Sequence, residues 1–152
     1  MAKQDFEPLL SGMNMRVVSL VPSLTQTLFD LGLSATEVVG RTPWCIHPAS
    51  QVKDVRVVGG TKTPNLGKIR ALKPDLIVMD REENPLEVYQ TLSNEGFEIF
   101  VSSVESPSDV PDMLRALGAA CDRNSAGEQL ALLCEDSIQG ISQDNTALRT
   151  IP

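Results

Sequence analysis

The chain has 152 residues, 41% hydrophobic and 22% charged, the balance of a single globular domain with a sizeable core. Its formal net charge of −7 excludes nucleic acid and an anionic membrane surface as principal partners, since both require a basic patch. Three cysteines (Cys45, Cys121 and Cys134) are too few and too scattered for a disulfide framework, and the odd count leaves at least one free thiol.

The first 14 residues hold no apolar run of signal-peptide length and carry Asp5 and Glu7 where a cationic segment would stand. No stretch approaches the roughly 20 apolar residues that span a bilayer. The expected location is therefore the cytoplasm. Removal of an export signal would instead place the protein in the periplasm or at the cell surface.

Short apolar runs alternate with helical patterns along the chain, which predicts an α/β domain with a parallel sheet. Residues 16–21 are β-branched and uninterrupted, as in a strand buried on both faces. Pro22 ends that run, and Ser23 with Gln26 forms a capping-box pattern. The helix that follows carries Leu24, Leu28 and Leu31 on one face and stops at Gly32. A brief strand is expected at 37–40, a loop at 41–55, and a third short strand at Val57 and Val58.

Asn65 is placed to cap a helix over 66–72, with Leu66, Ile69 and Leu72 inward. Pro74 breaks it, and 76–79 (LIVM) reads as the clearest buried strand. Asn84 and Glu87 pattern as the cap of a helix begun by Pro85 and ended by Gly96. A strand over 97–101 follows. A helix opened by Ser108 is expected to stop at Gly118. Ser125 and Glu128 give a further capping box. Leu130, Cys134, Ser137 and Ile141 then recur at helical spacing, with Leu133 beside them.

In open parallel sheets ligands bind at the carboxyl ends of the strands. Four loops qualify, at 22–25, 42–47, 59–64 and 80–84. Their candidate ligand-binding residues are Ser23, Thr25, Trp44, Thr61, Lys62, Asp80, Arg81 and Glu82. Trp44 reads either as a packing residue or as an aromatic face at a cleft mouth. Cys45 and His47 have the spacing of a metal pair, or are an inert thiol and a satisfied loop histidine. The Gly59-Gly60-Thr61-Lys62-Thr63 run lacks the Walker order and offers at most exposed amides for an anion. Glu82 and Glu83 read as paired acids or as a solvated turn, and Arg81 either clamps an acidic ligand group or pairs with Glu82. No nucleophile elbow, HExxH, GxGxxG or kinase pattern occurs, so catalysis has no evident machinery and no cofactor is expected.

Four segments carry a family resemblance: RVVSLVPSLTQTLFDLG at 16–32, VVGRTPWCIHP at 38–48, VGGTKTPNLGKIRALKPDLIVMDREEN at 58–84, and VPDMLRALG at 110–118. Together they resemble the helical-backbone solute-binding proteins of ABC importers for cobalamin, ferric siderophores and haem. The resemblance covers roughly residues 16–145. It implies a Rossmann-like lobe, a short parallel sheet flanked by helices, followed by the start of a long inter-lobe helix. The implied division is an N-terminal extension at 1–15, an α/β ligand-binding lobe at 16–122, and the start of the backbone helix with a truncated tail at 123–152.

The implied function is receptor for a corrinoid, siderophore or haem-like ligand, with an ABC permease as partner. Trp44 is similar to the first of three cleft aromatics in cobalamin receptors. Thr61 and Asp80 fall near the other two, which favours a more polar or chelated ligand. Gly67 stands where the family presents a permease-docking glutamate. The alternative reading is a cytoplasmic metal or metallocofactor receptor no longer coupled to a transporter. A lone lobe also has a cleft face through which it can form a homodimer.

Overall fold

The computed structural model describes residues 15–149, with side chains through residue 140. The N-terminal extension up to residue 14, the tail after 149 and the side chain of Ile141 lie outside the described residues.

Five strands form one all-parallel sheet: β1 (Val17–Ser19), β2 (Val38–Arg41), β3 (Arg56–Val57), β4 (Leu76–Asp80) and β5 (Ile99–Ser102), in the order β3-β2-β1-β4-β5. The helices are α1 (Pro22–Asp30), α2 (Ala49–Val52), α3 (Leu66–Leu72), α4 (Leu86–Asn94), α5 (Val110–Ala120) and α6 (Asn124–Arg149). The α/β architecture expected from the alternation is thus the one observed. The loop expected at 41–55 contains the short α2.

The central strands are apolar because both faces are covered. Successive side chains point to opposite sides of a strand. Val17, Leu76 and Val78 pack with Leu24, Leu28, Leu117 and Cys121, so α1 and α5 cover one face. Val18, Ile77 and Met79 pack with Ile69 and Leu92, so α3 and α4 cover the other. Leu28, Ile69, Leu92 and Leu117 are wholly buried in these two cores.

The helix ends depart from the sequence reading in physically distinct ways. α1 begins at Pro22 with Val21 at its N-cap and no side-chain cap, so Ser23 is left exposed in the first turn. Proline supplies the first helical φ and has no N–H to satisfy, which removes the demand for a Ser23 cap. Asn84 likewise does not cap α4; Pro85 holds that place and Asn84 turns inward. Ahead of α5 the capping box is Ser106 with Asp109, in a 3-10 turn over Pro107–Asp109, rather than one opened by Ser108. Asn65 does cap α3, accepting the Lys68 N–H at 3.0 Å.

Gly118 does not stop α5, which continues to Ala120. It marks a helix crossing instead: a Cβ on Gly118 would stand 2.9 Å from Gly127 Cα in α6, and one on Gly127 would stand 2.9 Å from the Leu114 carbonyl. Arg115 in α5 reinforces the crossing through ion pairs to Glu128 and Glu135 of α6. Ser125 lies inside α6 rather than at its cap. The apolar stripe of α6 also differs from the expected one. Ala131 is fully buried and Leu130 packs on the first core, whereas Leu132 and Leu133 are 51% and 64% exposed.

Candidate functional site

The sheet order reverses at β1: β2 and β3 run out on one side, and β4 and β5 are added on the other. The carboxyl ends of β1 and β4 therefore flank a switch point, the place where open α/β sheets bind ligands. Four loops meet there, after β1, β2, β3 and β4.

Trp44 and Ile46 are 67% and 56% exposed in the loop after β2, while Cys45 between them is wholly buried. The Cys45 Sγ lies 3.0 Å from Thr25 Oγ1 and 3.1 Å from Thr42 Oγ1. Thr25 Oγ1 is also 2.8 Å from Ser19 Oγ and 3.0 Å from the Val21 carbonyl. Thr25 is therefore a buried support beneath the site and has no surface to offer a ligand. Its position one turn into α1 faces the sheet, a direction that its residue type does not reveal. Cys45 and His47 do not converge: the thiol sits among interior hydroxyls and His47 is exposed. Among the described residues no group of three His, Cys, Asp or Glu side chains is arranged to hold a metal ion.

The loop after β3 opens with Gly59 at φ 104°, a left-handed conformation that favours glycine. A Cβ there would meet the Asn65 nitrogen at 2.7 Å. Gly59 and Pro64 bridge the two arms of this loop. Lys62 reaches across to the next loop and donates to the Glu82 carbonyl at 3.1 Å. The Thr61 carbonyl accepts from Asn84 Nδ2 at 3.0 Å.

Asp80 spends its carboxylate on the neighbouring strand and on its own loop. Oδ1 accepts from Ser102 Oγ at 2.6 Å, and Oδ2 accepts from the Glu82 and Glu83 amides at 2.9 and 3.1 Å. Arg81 and Glu82 are exposed, and among the described residues no ion pair joins them.

The sequence reading missed two features here. Asn84, 6% exposed, ties three of the loops together: Nδ2 donates to the Leu20 and Thr61 carbonyls, and Oδ1 accepts from the Asp80 N–H. Beside it, an open groove of about 470 Å³ is lined by Met79, Asp80, Arg81, Pro85, Leu86, Tyr89 and Val101, among others. Leu86 is 67% exposed, Tyr89 37% and Val101 40%. One signal was available: Leu86 and Tyr89 stand three apart, off the buried stripe that Val88 and Leu92 make in α4.

The end of the sheet thus presents exposed aromatic, aliphatic and charged groups over a fully bonded floor. Such a surface can hold a small molecule.

A family model described as periplasmic binding protein matches residues 17–151. The vitamin B12-binding protein of Pectobacterium atrosepticum is 29% identical over 140 residues, which is 90% of this chain and 50% of that protein. That of Vibrio vulnificus is 31% identical over 112 residues, 74% of this chain and 40% of its own length. The structure of the periplasmic vitamin B12 binding protein of Vibrio cholerae superposes with a TM-score of 0.77 at 26% identity, over 85% of this chain and 50% of that one. A periplasmic heme-binding protein from Roseiflexus shares the fold, with a TM-score of 0.77 at 24% identity, over 91% of this chain and 52% of that one. The chain spans about half the length of the curated relatives it matches. Among the described residues no helix is long and apolar enough to cross a membrane. An open parallel lobe and a family match running from β1 to residue 151 agree: the chain belongs to the periplasmic binding protein family, whose members bind solutes rather than transform them.

Proposed function

We propose that this lobe supplies one wall of a small-molecule cleft in a receptor serving an ABC-type importer, and that its ligand is a cobalamin-like or iron-chelate compound. The observation that carries this reading is the split at the carboxyl end of the sheet. Thr25, Cys45, Asp80 and Asn84 are committed to interior bonds, and Trp44, Ile46, Arg81, Glu82, Leu86 and Tyr89 are left facing outward. A cleft wall needs that combination of a rigid floor and an amphipathic surface.

Two further points narrow the ligand. Thr61 and Asp80 stand where the resemblance expects aromatic groups, and the neighbouring side chains are charged. A ligand with polar or acidic edges fits this surface better than one covered only by stacking. Direct capture of a bare metal ion has no converged donors among the described residues to support it. Gly67 is exposed in the first turn of α3, so a permease contact on this lobe has to use other residues. The location that goes with this function is the periplasm or the cell surface, rather than the cytoplasm.

The experiment is a titration with cobalamin, haem and a ferric siderophore, following the fluorescence of Trp44, the chain's single tryptophan. Inner-filter correction is required with coloured ligands. Saturable quenching by one of them, with binding lost in Trp44→Leu by equilibrium dialysis, supports the reading. No saturable change with any of the three overturns it for this ligand class.

A further inference from the structure

We infer that Arg41 and Cys45 are positioning residues that mount Trp44 rigidly, so that its face is set before any ligand arrives. The inference rests on the reading of Trp44 as a ligand contact.

The loop after β2 is held from two directions. Underneath, the Cys45 thiol is fixed between Thr25 Oγ1 and Thr42 Oγ1, and both threonines are fully buried. From the side, the Arg41 guanidinium donates through Nε to the Val55 carbonyl at 3.1 Å, and through Nη1 to the Thr42 and Cys45 carbonyls at 3.3 and 3.2 Å. The Cys45 N–H closes the turn onto the Thr42 carbonyl at 3.1 Å. Trp44 therefore sits between two carbonyls that share one guanidinium nitrogen, Nη1, while Nε of the same rigid plane is anchored on Val55. A guanidinium can serve carbonyls on two sides in fixed geometry, whereas an ammonium acts as a point donor.

The allocation of side chains argues against a purely structural role. Burial of a large apolar side chain stabilises a loop more than burial of a threonine does. Here the buried places go to a threonine and a cysteine, and the exposed ones go to Trp44 and Ile46. The polar framework is fully bonded: among the described residues no buried side-chain nitrogen or oxygen lacks a partner. Holding an exposed aromatic this firmly benefits a binding partner, because the cost of ordering the loop is met in the free protein.

The test measures time-resolved fluorescence anisotropy of Trp44 in the full chain. Arg41→Gln and Cys45→Ala are compared with the parent, and Arg115→Gln serves as a control that weakens the distant α5–α6 contact. The expected result is a roughly twofold rise in the fast, local part of the depolarisation in both loop variants, with no change in the control. Dialysis affinity for whichever of cobalamin or haemin binds the parent is expected to fall about tenfold in the loop variants.

Parent-like anisotropy in both loop variants overturns the inference. So does unchanged affinity in a demonstrably looser variant, even where Trp44→Leu abolishes binding, and in that case the ligand reading of Trp44 survives alone. If neither probe binds the parent, the receptor reading falls for these ligands, and the role given to the mount falls with it. Should both variants fail to fold, amide exchange in the parent decides: the Cys45 N–H is expected to be protected, and exchange as fast as in an exposed loop overturns the inference.

Discussion

Replacing Asn84 with alanine removes one amide that joins the end of β1, the loop after β3 and the end of β4. Three hydrogen bonds go with it, at 3.2 Å to the Leu20 carbonyl, 3.0 Å to the Thr61 carbonyl and 2.7 Å from the Asp80 N–H. At a net worth of about 1 kcal/mol each, the expected loss is about 3 kcal/mol. Water entering the space offsets part of this on the Thr61 and Asp80 side, where the bonds are only partly buried, so about 2 kcal/mol is the lower bound. Asn84→Asp makes a sharper test. It keeps the acceptor for Asp80 but sets a carboxylate against two carbonyl oxygens that have nothing to donate. Near neutral pH it is expected to cost more than alanine. The introduced carboxyl has its folded pKa raised, so the folded form holds its proton more tightly than the unfolded chain. The stability this lends is present below the ordinary value of about 3.9 and is lost as pH rises through the folded value. The deficit of Asn84→Asp is therefore expected to shrink on acidification, and that of Asn84→Ala is not. Urea unfolding followed by circular dichroism measures both. An alanine variant within about 0.5 kcal/mol of the parent would refute the view that this side chain holds the site together.

Gly118→Ala places a methyl 2.9 Å from backbone atoms of Arg123 and Gly127, whereas Gly140→Ala meets nothing within 4 Å. Overpacking of about 1–3 kcal/mol outweighs the helix gain of about 1 kcal/mol at Gly118; thermal melts should show loss there and a small gain at Gly140, and the same sign at both would contradict the crossing. A thiol reagent is expected to modify Cys134 quickly in the native protein and all three cysteines in denaturant, because Cys45 is buried and burial pushes the Cys121 thiol up to about 11; two fast thiols in the native state would contradict this. The hydrogen bond from Arg115 holds the Glu128 carboxyl below the ordinary carboxylate range, and Arg70 does the same for Glu95. A lowered folded pKa gives stability that is present above the unfolded value of about 4.3 and lost as pH falls through the folded one. The urea-midpoint deficit of Arg115→Gln is therefore expected to shrink towards about pH 3 and in high salt; a deficit independent of both would mean that packing, not charge, sets it.

The sheet was legible because its inner strands must be apolar on both faces, and the run 76–79, bounded by Pro74 and the polar turn at 80–84, is too short for a helix. The helix ends were less so. Ser23 and Asn84 both carry the side chain of a cap, and each stands beside a proline that alters the helix start, so a cap chosen by residue type was misplaced. Gly118 carried the signal of a stop and acts as a crossing. That function depends on Gly127, a partner in the next helix, and no pattern confined to α5 contains it.

At the site, residue type was legible and direction was not. Thr25 in α1 and Asp80 at the end of β4 both stand by the switch point, yet their polar atoms are consumed within the lobe. For Asp80 the reason is local: a carboxylate at a strand end followed by free amides two and three residues on will close a turn on itself. For Thr25 and Cys45 part of the reason is distant, since beside local bonds to the Val21 carbonyl and Thr42 Oγ1 the two meet each other from different elements, 20 residues apart. Trp44 and Ile46 flank Cys45, and in a tightly held loop a buried middle residue drives its neighbours outward. Subtracting the side chains that the fold has already used therefore does more than any motif to define the outward-facing set at the end of the sheet. What remains is aromatic and aliphatic at Trp44, Ile46, Leu86 and Tyr89 and charged at Arg81 and Glu82.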